Sequence, residues 1–133
     1  MNIPSQFIVV DDDPSNNFIC KHIIANFEPA AHIQLFTDPK EALGWIQEVY
    51  SHKTDDLETI LFLDINMPEI SGWEFLDEFS LFPGSLHAQF KIFILSSSID
   101  PEDIAKAEKH PMVQGFYSKP LSRQTLTIVF KEE

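Results

Sequence analysis

A single cysteine, Cys20, has no second to pair with, which excludes an internal disulfide and removes any need for an oxidising compartment. Its place in Phe18-Ile19-Cys20 reads as a small buried or half-buried thiol on a helix. Glycine is scarce at 4 residues, and with 9 prolines it falls short of the content that marks low-complexity disorder. Positive charge is scarce too: 9 Lys and Arg stand against 21 Asp and Glu, a formal net charge of -12. That field repels phosphate backbones and anionic lipid, so neither nucleic acid nor a membrane surface is an expected partner. No window approaches the roughly 18 consecutive apolar residues of a membrane span. The N-terminus has no basic start leading into an apolar run, so the expected location is the cytoplasm. What is present is 44% hydrophobic residues in 133, enough to bury one core and too few for two.

Five short apolar runs alternate with helix-like segments, the pattern of repeated β-α units around a parallel sheet buried on both faces. The runs are Phe7 to Val10, Ile33 to Phe36, Ile60 to Leu63, Lys91 to Leu95 and Val113 to Tyr117. Helical spacing joins Ile19, Ile23 and Phe27; Ala42, Ile46, Val49 and Tyr50; Trp73, Leu76 and Phe79; and Leu126, Val129 and Phe130. The helix from Pro101 to Lys109 is marked by its start: Asp100 as N-cap, Pro101 in the first turn, Glu102 and Asp103 on the dipole. Asp38-Pro39-Lys40-Glu41 opens the second helix in the same way. Ser51 to Thr59 and Ser80 to Phe90, the latter with Pro83-Gly84, read as surface loops. The twelve Phe and two Trp are assigned to core.

In an open parallel sheet the carboxyl ends of the strands share one edge, so the residues after each run meet in space. After the first run come Asp11, Asp12 and Asp13; after the third, Asp64 and Asn66; after the fourth, Ser96, Ser97 and Ser98; after the fifth, Lys119 and Pro120. Crowded carboxylates are unfavourable unless a cation offsets them. Oxygen ligands with room for water suit Mg²⁺, which binds beside phosphate. An aspartate touching such an ion can attack phosphorus, with Lys119 and Ser96 taking phosphoryl oxygens. Simpler roles compete for some of these residues. Asp13-Pro14 is explained as a helix cap, which leaves Asp11 and Asp12 unaccounted for. Ser97 and Ser98 read as loop or cap residues. His22, His32, His52, His87 and His110 show no paired metal spacing and read as surface or packing residues.

From about Ile3 to Phe130 the sequence resembles the receiver domain of two-component response regulators, leaving 1–2 and 131–133 as short tails. The motifs are Val9-Val10-Asp11-Asp12-Asp13, Leu63-Asp64-Ile65-Asn66-Met67-Pro68 with Gly72, Ile94-Leu95-Ser96-Ser97, and Phe116-Tyr117-Ser118-Lys119-Pro120. The resemblance implies a flavodoxin-like α/β fold: a doubly wound, five-stranded parallel sheet in order 2-1-3-4-5 between helical layers. It implies Asp64 as phosphoacceptor, Asp12 as a direct Mg²⁺ ligand, Asp11 reaching the ion through water, and Asn66 giving its main-chain carbonyl. Ser96 matches the switch hydroxyl, Lys119 the phosphate-binding lysine before a cis Pro120, and Phe116 the aromatic switch residue. Many relatives carry Tyr at that last position, so here ring packing replaces any bond through a ring hydroxyl.

The implied donor is a histidine kinase or histidine phosphotransfer protein. The implied effect is a population shift at Ser96 and Phe116 that changes the face of helix 101–109, the last strand and the last helix. The chain catalyses only its own modification. The stretch after Lys119 suffices for one helix, so no output domain is expected and output passes through an unknown protein target or by onward phosphotransfer. The expected state is a monomer or a phosphorylation-dependent dimer. Asp11-x-Asp13 also resembles the acidic pair of haloacid-dehalogenase phosphatases, and a binding module independent of phosphorylation is a third reading.

Overall fold

The computed structural model describes residues 6–51, 58–97 and 100–131. Its strands are β1 (Gln6–Val10), β2 (His32–Phe36), β3 (Thr59–Leu63), β4 (Phe90–Ser96) and β5 (Val113–Ser118). Its helices are α1 (Pro14–Phe27), α2 (Pro39–Tyr50), α3 (Gly72–Ser80), α4 (Gly84–His87), α5 (Pro101–Lys109) and α6 (Arg123–Lys131). All pairings are parallel and the strand order is β2-β1-β3-β4-β5, as the alternating pattern and the resemblance imply. Ser98, the middle of the expected loop from Ser51 to Thr59 (52–57, with His52) and the tail 1–2 lie outside the described residues; of the expected tail 131–133, Lys131 belongs to α6 and 132–133 lie outside them.

Every residue of β3, the middle strand, is buried. Alternate strand residues therefore feed two cores. Ile8, Val10, Leu61, Leu63, Ile92 and Ile94 join Ala42, Ile46, Phe75, Leu76 and Phe79 of α2 and α3 on one side. Phe7, Val9, Ile60, Phe62, Phe93 and Leu95 join Cys20, Ile24, Leu126, Val129 and Phe130 of α1 and α6 on the other. Three helices start on Asp-Pro. The side chains of Asp13, Asp38 and Asp100 accept from the N–H groups of Ser15, Lys40 and Glu102, each at 2.9 Å, and Pro follows where no N–H is needed. α3 starts instead on a capping box between Ser71 and Glu74.

Four expectations need correction. The segment from Ser80 to Phe90 contains α4: Leu86 and His87 N–H groups bond the Pro83 carbonyl, and the His87 ring bonds the Phe79 carbonyl at 2.8 Å. One turn has no periodicity to read. Thr59 belongs to β3, where its buried hydroxyl lies 2.9 Å from that of Tyr50. Phe18 is 68% exposed rather than core, and Ile19 and Val49 are exposed too. The buried residues of α1 are Asn16, Asn17, Cys20 and Ile24, with Ile23 and Phe27 half-buried. Its inner face is thus turned by about one residue from the Ile19-Ile23-Phe27 stripe, because two asparagines occupy it and bond through their Nδ2 groups, while Asn17 Oδ1 is buried without a partner among the described residues.

Candidate functional site

Register determines which residues meet. Val10 pairs with Leu63, so the next residue on each strand, Asp11 and Asp64, emerge side by side at the carboxyl edge. Their backbones continue the ladder for one more step: Asp11 N–H bonds the Phe36 carbonyl and Asp64 N–H the Val10 carbonyl, each at 3.0 Å. Ser96 ends β4 opposite Ser118, and the Lys119 N–H bonds the Ser96 carbonyl at 2.8 Å. The Lys119-Pro120 peptide bond is cis. Asp11, Asp12, Asp64, Ser96 and Lys119 therefore share one corner, as expected from strand order.

Within it Lys119 Nζ lies 2.6 Å from Asp11 Oδ2 and 3.5 Å from Asp64 Oδ1. Asp11, Asp64 and Ser96 are buried, and Asp12 is half-buried toward solvent. One carboxylate oxygen from each of Asp11, Asp12 and Asp64 lies within 4.8 Å of the other two. Burial, and then the charge of Asp11, push the Asp64 carboxyl up to about 6, against the pull of Lys119 and of the Asn66 N–H. Burial works against the charge on Lys119, but its bonds and charge pairing with Asp11 and Asp64 win and raise it. Three acids facing one ammonium leave negative charge uncompensated, and the donor set is oxygen only. The corner fits a small hard divalent cation. Asn66 is exposed, with its N–H 3.4 Å from Asp64 Oδ1, so its main chain stands beside the carboxylates.

Other sequence candidates fall elsewhere. The exposed Asp13 is spent on capping α1, so Asp11 and Asp13 do not converge as an acid pair. Ser97 is exposed at the end of β4. Phe116 is half-buried against the α2-α3 core, while its neighbour Tyr117 packs on the α1-α6 core. His87 and His110 make backbone bonds through their rings, to Phe79 and Met112. Burial, helped by Asp11, pushes the Cys20 thiol up to about 12, which keeps it protonated.

Two contributors escaped the sequence reading. Asn16 donates to Asp11 Oδ2 at 2.7 Å, and Asn17 donates to the carbonyls of Asp11 and Phe36 at 3.0 and 3.3 Å. Polar residues just inside a helix normally read as its solvent face, so only the acids before them could have been a signal. Gly72 belongs to the Asp64 motif already read from the sequence. Its N–H bonds the Ile65 carbonyl at 2.8 Å, and a Cβ there would lie 2.5 Å from the Asp64 carbonyl oxygen. α3 can approach the phosphoacceptor candidate this closely only without a side chain.

Comparison with known proteins agrees with this geometry. A solved two-component response regulator from Cytophaga hutchinsonii is 32% identical, with a TM-score of 0.87, covering 98% of this chain and 97% of its own. A response regulator receiver protein from Dyadobacter fermentans is 26% identical, with a TM-score of 0.84 and coverage of 96% and 95%. Among curated proteins, the cyclic di-GMP phosphodiesterase response regulator RpfG of Xanthomonas campestris pv. campestris is 29% identical over 119 residues. That match takes in 90% of this chain and 29% of the curated protein, so the chain spans under a third of its length. Residues 7–131 match the sequence profile of the response regulator receiver domain, and the chain belongs to that family.

Proposed function

We propose that the chain accepts a phosphoryl group on Asp64 from a phosphorylated histidine of a kinase or phosphotransfer protein, in a Mg²⁺-dependent step. The observation that carries this reading is the position of Lys119, 2.6 Å from Asp11 and 3.5 Å from a second buried acid, Asp64. Asp64 follows the fully buried middle strand, where an Oδ can attack phosphorus in line with the leaving group. The new bond is O–P. The donor's P–N bond breaks, and its electron pair returns to the imidazole nitrogen. Lys119 takes up charge on the phosphoryl oxygens, and the Ser96 hydroxyl offers a donor from the end of β4. Asp11, Asp12, Asp64 and the Asn66 carbonyl are the residues that would hold Mg²⁺. When bound, the ion neutralises the carboxylates and screens the incoming phosphoryl charge.

Signal output follows by a population shift in which Ser96 and Phe116 rearrange, altering the face made by α5, β5 and α6 for a protein target or onward phosphotransfer. No described helix is long and apolar enough to cross a membrane. A haloacid-dehalogenase phosphatase is not favoured, because Asp13 caps α1 and leaves Asp64 without a role in that scheme. A binding module indifferent to phosphorylation leaves the Lys119 corner without a purpose. Incubation with acetyl phosphate and Mg²⁺, read by intact mass, should add one phosphoryl group to the wild-type chain and none to Asp64→Ala. Equal uptake by the variant would remove Asp64 from its role.

A further inference from the structure

The inner face of α1 carries two buried amides where the fold calls for apolar side chains: Asn16 is 7% and Asn17 3% exposed. A buried amide is costly unless its hydrogen bonds are made, so what these groups bond shows what they are for. Asn17 serves the main chain, tying the ends of β1 and β2 together through the carbonyls of Asp11 and Phe36. Asn16 serves side chains, with a long 3.6 Å contact to Cys20 Sγ and a short one to Asp11. Its Nδ2 reaches Asp11 Oδ2 at 2.7 Å, the same oxygen that Lys119 Nζ meets at 2.6 Å, while Asp11 Oδ1 accepts the Asp13 N–H at 2.9 Å.

Three donors of different kinds thus hold one carboxylate. The Asp13 N–H and the Lys119 ammonium do not by themselves fix it, because Lys119 is a flexible chain drawn also toward Asp64. Asn16 is different. It sits in the first turn of a helix whose start is pinned by the Asp13 cap, so its amide approaches Asp11 from a fixed direction.

We propose that Asn16 is a positioning residue for Mg²⁺ at the carboxylate corner: its amide holds the Asp11 carboxylate, and through it Lys119, in the arrangement that admits the ion. The proposal rests on the reading of the corner as a Mg²⁺-dependent phosphoacceptor site. Groups that orient a ligand from behind typically change metal affinity 10- to 100-fold when removed, whereas a packing residue changes stability alone.

The test is calorimetric titration of Mg²⁺ into the wild-type chain and Asn16→Leu, an apolar replacement of similar size, with urea unfolding of both in EDTA. Asn16→Leu is expected to bind Mg²⁺ at least about tenfold more weakly, and to gain correspondingly less resistance to urea when Mg²⁺ is added. Wild-type affinity in a folded Asn16→Leu would overturn the proposal and leave the phosphoacceptor reading intact. Failure of the wild-type chain to bind Mg²⁺ would overturn that reading, and the role of Asn16 with it. Should Asn16→Leu not fold, Asn16→Ala takes its place in the titration, with the same loss expected and the same wild-type result fatal.

Discussion

Asp64 is a destabilised group in the free protein. With its carboxyl raised from 3.8 to about 6, the folded chain favours the protonated form. Its contribution to stability is complete below about pH 4 and is lost as pH rises through 6. Asp64→Asn should therefore match the wild-type chain in urea unfolding near pH 4. In EDTA above pH 7 it should exceed it by on the order of 3 kcal/mol. Added Mg²⁺ should narrow that gap by binding only the carboxylate form. A gap that stays flat across this range would show that burial and Asp11 do not oppose ionisation. Gly72 makes a second prediction. A Cβ would stand 2.5 Å from the Asp64 carbonyl oxygen and 2.9 Å from Ile65 Cα, both backbone atoms with little freedom to retreat. Gly72→Ala should cost about 1–3 kcal/mol in urea unfolding and displace the Asp64 loop.

Between helices, the contact most open to test is the tether from α3 to α5. Trp73, next to Gly72, donates its indole N–H to Asp103 at 3.2 Å, lies under the Lys106 ammonium at 4.9 Å and stacks on His110 at 6.3 Å. Trp73→Phe keeps a ring and loses the hydrogen bond, so it should cost about 1 kcal/mol and speed amide hydrogen exchange in α5. Unchanged exchange there would mean that the Trp73–Asp103 hydrogen bond does not hold α5. The sequence displays this tether poorly: Trp73 and Asp103 lie in different helices, and nothing in either segment names the other. The Asp-Pro starts of α1, α2 and α5 are legible because cap and proline are adjacent in the chain. α1 shows the limit of periodicity. Its apolar Ile19 points outward and its polar Asn16 inward, because hydrogen bonds to Asp11 outweigh the preference for apolar burial at that one turn.

For the molecule as a whole, the corner was legible because it is a consequence of topology. Once five apolar runs are read as parallel strands, the residues at their carboxyl ends must gather, and Asp11, Asp64, Ser96 and Lys119 do. What topology leaves open is which donor faces which oxygen, and there the asparagines of α1 enter unannounced. The central claim is that this gathering makes Asp64 a Mg²⁺-dependent acceptor of phosphoryl groups. The most direct measurement is borohydride trapping after incubation with acetyl phosphate, followed by peptide mass mapping. The account predicts reduction of an acyl phosphate to a primary alcohol at Asp64, present with Mg²⁺ and absent with EDTA. Trapping at another residue, or equal trapping without the metal, would contradict it.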